Sequence, residues 1–200
     1  NILIFSKNKV YLIAEIANSH EGNFETAKKL IDVAHSSNAD IVKFQLFKTA
    51  ELLEKNHESF HIFQKLEMKN SEWSKLIAFA KRKKIKVFFD VFGISSAKIA
   101  YKLKPDGFKI HTSDITNSQL LNFFSKSKKP ILLSTGGVTS KEISYALERL
   151  TKNNKEIILM HGFQGYPTKL LDLNLLRITE LKRYKVSLKI KAALLVLLRF

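Results

Sequence analysis

Apolar residues recur along this chain in two rhythms. Short apolar runs bounded by turn residues read as strands over Tyr11–Ala17, Ile41–Phe47, Lys86–Phe92, Gly107–Thr112, Pro130–Thr135 and Glu156–His161. Between them the spacing i, i+3, i+4, i+7 returns. It appears at Ala27, Leu30, Ile31 and Ala34, at Trp73, Leu76, Ile77 and Ala80, and at Ile143, Ala146, Leu147 and Leu150. Each stripe predicts an amphipathic helix that covers one face of a sheet. Ser71, Asn117 and either Thr139 or Ser140 are candidate N-caps, and Pro105 with Gly107 punctuates the approach to the fourth strand. Alternating strands and helices predict repeated βαβ units around a parallel sheet.

Polar residues gather at the C-terminal ends of successive strands: Glu15 and Asn18, Lys43 and Gln45, Asp90, Lys109 with Thr112 to Asp114, Ser134 with Thr135, and His161 with Gln164. Barrels and doubly wound sheets both bind ligands at that edge. No Gly-x-Gly-x-x-Gly follows the first strand, and six strands contribute polar groups, which favours the barrel. The expected fold class is therefore α/β, a TIM (β/α)8-type barrel that is incomplete, with six clear βα units of eight. Residues 1–200 are expected to form one partial barrel domain.

Composition narrows the setting. At 45% hydrophobic, 200 residues supply one sizeable core. The absence of cysteine excludes disulfides and thiolate metal sites and points to the cytoplasm by default. No signal peptide is apparent, and the apolar stretch Ala192–Leu198 is far shorter than the roughly 20 residues that span a bilayer, so no membrane partner is expected. A net charge of +16 would attract nucleic acid, an anionic membrane or an anionic small substrate. The lysines are scattered through helices and helix ends, which favours a solvated basic surface over a nucleic-acid face.

The candidate chemistry begins with Ile13 to Asn23, where two carboxylates, a histidine and two amides follow one apolar strand. Lys43 in Val42-Lys43-Phe44-Gln45 and Lys109 in Phe108-Lys109-Ile110 lie inside strands, where an idle charge is expensive to desolvate. Pointing into a barrel mouth they make an anion site; the alternative is that they face solvent at a strand edge. Ser134-Thr135-Gly136-Gly137 offers hydroxyls and glycine-freed amides for phosphate or carboxylate oxygens, although the same phrase makes an ordinary strand-to-helix turn. Gln164 and Tyr166 suit a polyol, with a Pro-Gly turn around a buried tyrosine as the plainer reading. His20, His111 and His161 lack metal-ligand spacing and are expected to be structural.

The phrases Ala14-Glu15-Ile16-Ala17-Asn18-Ser19-His20-Glu21-Gly22, Val42-Lys43-Phe44-Gln45, Lys109-Ile110-His111-Thr112-Ser113-Asp114, Leu132-Leu133-Ser134-Thr135-Gly136 and Tyr166-Pro167-Thr168 occur in that order. In this the chain resembles the N-acetylneuraminate (sialic acid) synthase family over roughly residues 10 to 185. The resemblance implies a transferase that condenses phosphoenolpyruvate with an N-acetylated amino sugar such as N-acetylmannosamine and releases phosphate. Relatives that make legionaminic or pseudaminic acid share the pattern. It implies Glu15 at the reacting carbons, in proton transfer or water orientation. It implies Lys43, Lys109, Thr112 and Ser134 on phosphoenolpyruvate, and Gln45, Asp114 and Tyr166 toward the sugar. A divalent metal, manganese or magnesium, holds the sugar aldehyde in such enzymes, and the full-length parent would be a homodimer.

Two departures accompany these matches. The family's Thr-Pro-Phe phrase, whose threonine helps bind phosphoenolpyruvate, is replaced by Asp90-Val91-Phe92. An acid there repels an anion unless it is paired. The family's metal-binding histidine phrases and its antifreeze-like C-terminal domain have no counterpart in the 200 residues, so the expectation is an inactive fragment that carries the phosphoenolpyruvate-binding part and assigns no metal ligand. Unpaired strand edges in such a fragment predict marginal stability or association. The competing readings are another phosphate-handling TIM-barrel aldolase or synthase and a basic, non-catalytic nucleic-acid-binding protein.

Overall fold

The computed structural model describes residues 10–153, 156–165 and 167–184. Its strands are β1 (Ile13–Ala17), β2 (Ile41–Leu46), β3 (Lys86–Val91), β4 (Gly107–Ile110), β5 (Ile131–Ser134) and β6 (Ile157–Met160), and they follow one another in the sheet in chain order. Each lies inside the span expected of it and is trimmed by one or two residues at its ends. The helices are α1 (Phe24–Ser36), α2 (Thr49–Leu52), α3 (Phe60–Leu66), α4 (Asn70–Arg82), α5 (Ile94–Leu103), α6 (Ser118–Ser125), α7 (Ser140–Leu150) and α8 (Arg177–Leu181). This is the α/β, TIM-barrel type of fold, with six βα units among the described residues where a full barrel has eight. No helix among the described residues is long and apolar enough to cross a membrane.

Two compact units divide the chain, one built on Tyr11–Phe108 and the other on residues from Lys109 onward, with the boundary inside β4. In the first unit β2 pairs in parallel with both β1 and β3, so β2 is buried on two sides and reads as a nearly continuous apolar run. Strand alternation divides its residues between two faces. Phe44 and its register partner Phe89 meet Trp73 of α4 at ring-centroid distances of 5.3 and 5.2 Å. The expected stripe of α4 is what arrives there, since Trp73, Leu76 and Ala80 are all buried.

That helix begins differently from expectation. Ser71 lies in its first turn, and the entry is held instead by the Glu72 carboxylate, which accepts from the Lys69 backbone N–H at 2.8 Å. Residues 48–69, where no element was expected, carry α2 and α3. Long-range carboxylate bonds tie them down: Glu67 accepts from the Thr49 N–H and hydroxyl, each at 2.7 Å, and Glu51 accepts from the Ser95 and Ser96 N–H groups at the start of α5.

In the second unit β5 and β6 pair in parallel, and α7 buries all four residues of its predicted stripe. Thr139 is its cap, joined to Glu142 in a reciprocal capping box, and Asn117 caps α6 by accepting from the Leu120 N–H at 3.1 Å.

Candidate functional site

The end of β1 is shaped by a bulge. Glu15 pairs with Lys43, but Ala17 pairs with Phe44, so Ile16 is an extra residue on β1. Ala17 then takes a left-handed backbone with φ of 47°, and the chain turns through Asn18 to Gly22. Gly22 is required twice over: its φ is 72°, and a Cβ would stand 2.0 Å from the Lys65 carbonyl oxygen. His20 sits inside this turn, fully buried, with its Nδ1 accepting from the Gly22 N–H at 3.0 Å and its ring against Trp73 at 5.4 Å. Burial pushes its pKa down to about 4, so it is a neutral structural histidine, the role expected of it.

On the opposite face of the same strands stands a charged cluster. Glu15, Lys43 and Phe88 share one register row, and Gln45 pairs with Asp90 in the row two residues further along. The Lys43 side chain is 0% exposed, and its ammonium forms ion pairs with Glu15 and with Asp90 Oδ2, the latter at 3.2 Å. Burial alone would lower the Lys43 pKa, but the adjacent Asp90 and Glu15 charges outweigh it and hold the pKa above its ordinary value. Lys43 is therefore a buried lysine held by two carboxylates, not a strand-edge lysine in water. Asp90, the departure noted in the sequence, is paired with it. Beside the cluster, Asn18 Nδ2 donates to Gln45 Oε1 at 2.6 Å. Glu15 Oε1 and Asn18 Oδ1 are buried with hydrogen-bonding capacity unspent.

The second unit presents a different arrangement. Lys109 on β4 and Ser134 at the end of β5 are both buried, each 8% exposed. Thr112 opens a short 3₁₀ turn (Thr112–Asp114), and its hydroxyl accepts from Gln164 Nε2 at 3.2 Å. Asp114 Oδ1 accepts from Asn117 Nδ2 at 2.8 Å, which places it in the connection leading to α6. A Cβ on Gly136 would lie 2.3 Å from the Gly162 carbonyl oxygen, so the loops after β5 and β6 approach as closely as they do only because this residue is glycine. Thr135 is turned away from the loops, donating to the Met160 carbonyl at 3.0 Å. His161 Nε2 lies 2.7 Å from the Leu173 carbonyl oxygen, again a structural contact. Tyr166 lies outside the described residues.

The structure thus joins Glu15 to Lys43, sets Gln45 two residues further along, and adds Asn18 and Asp90 to them. Neither of these two had an assigned partner; that of Asp90 depends on the register between β2 and β3, which apolar patterning does not reveal.

Comparison with known proteins finds similarity over most of the chain. The NeuB family model matches residues 30–189. An N,N'-diacetyllegionaminic acid synthase of Campylobacter jejuni is 35% identical over 191 residues, covering 87% of this chain and 57% of that protein. A Methanocaldococcus jannaschii protein, MJ1065, is 33% identical over 173 residues, covering 86% of this chain and 51% of its own. The crystal structure of an N-acetylneuraminic acid (sialic acid) synthetase from Leptospira borgpetersenii in complex with citrate superposes with a TM-score of 0.85 at 27% identity, over 94% of this chain and 68% of that one. The chain spans about half the length of the curated relatives it matches.

Proposed function

The chain belongs to the NeuB family, and from that membership we propose that it carries the phosphoenolpyruvate-binding part of a nonulosonic acid synthase. The reaction is the condensation of phosphoenolpyruvate with an N-acetylated amino sugar, such as N-acetylmannosamine, with release of phosphate. The observation that supports it most is the buried Lys43 ammonium between Glu15 and Asp90, with Glu15 Oε1 and Asn18 Oδ1 unsatisfied beside it. Removing water from a charge is costly, and here the pairing that offsets the cost leaves polar atoms unspent beside it.

In this reading Lys43 supplies a preorganised positive charge for the carboxylate or phosphate of the substrate, as fixed charges in a dry site act more strongly than in water. Glu15 orients water or moves a proton at the reacting carbons. The family resemblance assigns Lys109, Thr112 and Ser134 to the same substrate. Gln45, Asp114 and Tyr166 serve the sugar.

Synthases of this kind hold the sugar aldehyde on a divalent manganese or magnesium ion. The described residues do not fit that ion: no group of three or more His, Asp or Glu side chains gathers among them. No step is derived through the metal.

The test is calorimetric titration of the folded chain with phosphoenolpyruvate, beside Lys43→Ala and Lys109→Ala. Binding that disappears in both variants supports the reading. A folded chain that fails to bind, or binding that persists without Lys43, overturns it.

A further inference from the structure

We propose that Asp90 is a positioning residue that governs the anion affinity of the site, because its carboxylate holds the place on the Lys43 ammonium that a substrate anion must take. The proposal rests on the phosphoenolpyruvate reading above. Lys43 is 0% exposed, so no anion reaches it without displacing or crowding a group already there. Two carboxylates face this ammonium, so neutralising one leaves the other to pair with it.

The two are not equivalent. Glu15 stands on the bulged strand, in the register row of Lys43 itself. Asp90 reaches Lys43 from β3 and stands in the register row of Gln45, two residues nearer the strand ends than Lys43. An anion entering from the C-terminal ends of the strands meets the Asp90 charge before it meets the lysine. Like charges brought together inside a protein repel far more strongly than in water. Asparagine at this position keeps the shape and the oxygen that accepts from Lys43 while removing the charge, and Glu15 remains to compensate the ammonium.

The experiment titrates the full chain with phosphoenolpyruvate and, separately, with inorganic phosphate at constant ionic strength. The proteins are wild type, Asp90→Asn, Asp90→Thr and the double variant Asp90→Asn with Lys43→Met, with circular dichroism melts to establish folding. Asp90→Asn is expected to bind phosphoenolpyruvate about tenfold tighter or more than wild type, a gain that a merely structural role would not produce. The gain is expected to vanish in the double variant. Asp90→Thr, which changes shape as well as charge, is expected to move in the same direction.

Equal or weaker binding in the folded Asp90 variants overturns the inference, and if wild type binds phosphoenolpyruvate through Lys43 all the same, the functional reading survives alone. If the variants gain affinity through Lys43 for phosphate and phosphoenolpyruvate alike, with no preference between them, the inference holds and the phosphoenolpyruvate reading falls. No binding of either anion by any folded variant overturns both.

Discussion

The two faces of β1, β2 and β3 are made by alternate residues of the same short strands, and they solve opposite problems. Toward α4, Phe44 and Phe89 close with Trp73 and the neutral His20 into a dry aromatic cluster with ring centroids 5.2 to 6.5 Å apart. On the other face, Lys43 and Asp90, each next in sequence to one of those rings, are buried and pair with each other, and Lys43 pairs also with Glu15. The first face gains its stability from area removed from water. The second recovers by mutual pairing what it lost on desolvation, and it is retained for what it can hold. A period of two is enough to keep a core and a site apart within a strand of five or six residues.

The largest effect is expected on the aromatic face. Trp73→Ala removes the ring at the centre of the cluster and leaves a cavity bounded by Phe44, Phe89 and His20. The cost is about 4–5 kcal/mol of folding stability, read as a lower urea midpoint. Were the loss under about 1 kcal/mol, α4 would not be packed against β2 and β3 as described.

Lys43→Met tests the charged face by leaving Glu15 and Asp90 opposed without their cation, at a cost of about 4 kcal/mol. The pH dependence identifies the cause. The folded pKa of Lys43 is raised, so the stability its pairing contributes is complete below the unfolded value of 10.5 and is lost as pH rises through the higher folded value. Wild type is expected to lose stability along that alkaline limb and Lys43→Met to lack it. Identical alkaline limbs in the two proteins would show that the ion pairs contribute nothing.

How much of this could be read from the chain follows from the range of the forces involved. The six strands and the helical stripes of α1, α4 and α7 rest on local periodicity, and they appear where the pattern puts them. The cap of α7 was readable because Thr139 and Glu142 are three residues apart. Residues 48–69 were silent because their ties are long-range, from Glu51 to the start of α5 and from Glu67 back to Thr49. The buried lysine could be inferred from its apolar neighbours. Its pairing with Asp90 could not, since it depends on which residue of β3 lies opposite Gln45.

His20 gives the next effect in size. Its folded pKa of about 4 lies below the unfolded 6.5 because the charged ring has no water in its aromatic pocket. The unfolded chain therefore takes up a proton first as pH falls. The stability that the neutral ring retains is complete above 6.5 and is lost between 6.5 and about 4, in total about 3 kcal/mol. Denaturation midpoints across that window should fall in wild type and stay nearly level in His20→Asn relative to its own neutral-pH value. A level wild-type profile would mean that the ring is hydrated.

The smallest effect is expected where the site meets water. Asn18→Ala deletes the donor to Gln45 Oε1, but Gln45 is only half-buried, so water can replace the lost partner. The cost should be about 1 kcal/mol, far below that of Trp73→Ala although both residues touch β2. A loss as large as that of the tryptophan would mean that the Asn18 turn carries the strand ends mechanically, and the charged face would then be a second core. A loss near the expected value, with the alkaline limb of Lys43 unchanged, places Asn18 outside the ion-pair cluster and leaves its unspent oxygen available to a ligand.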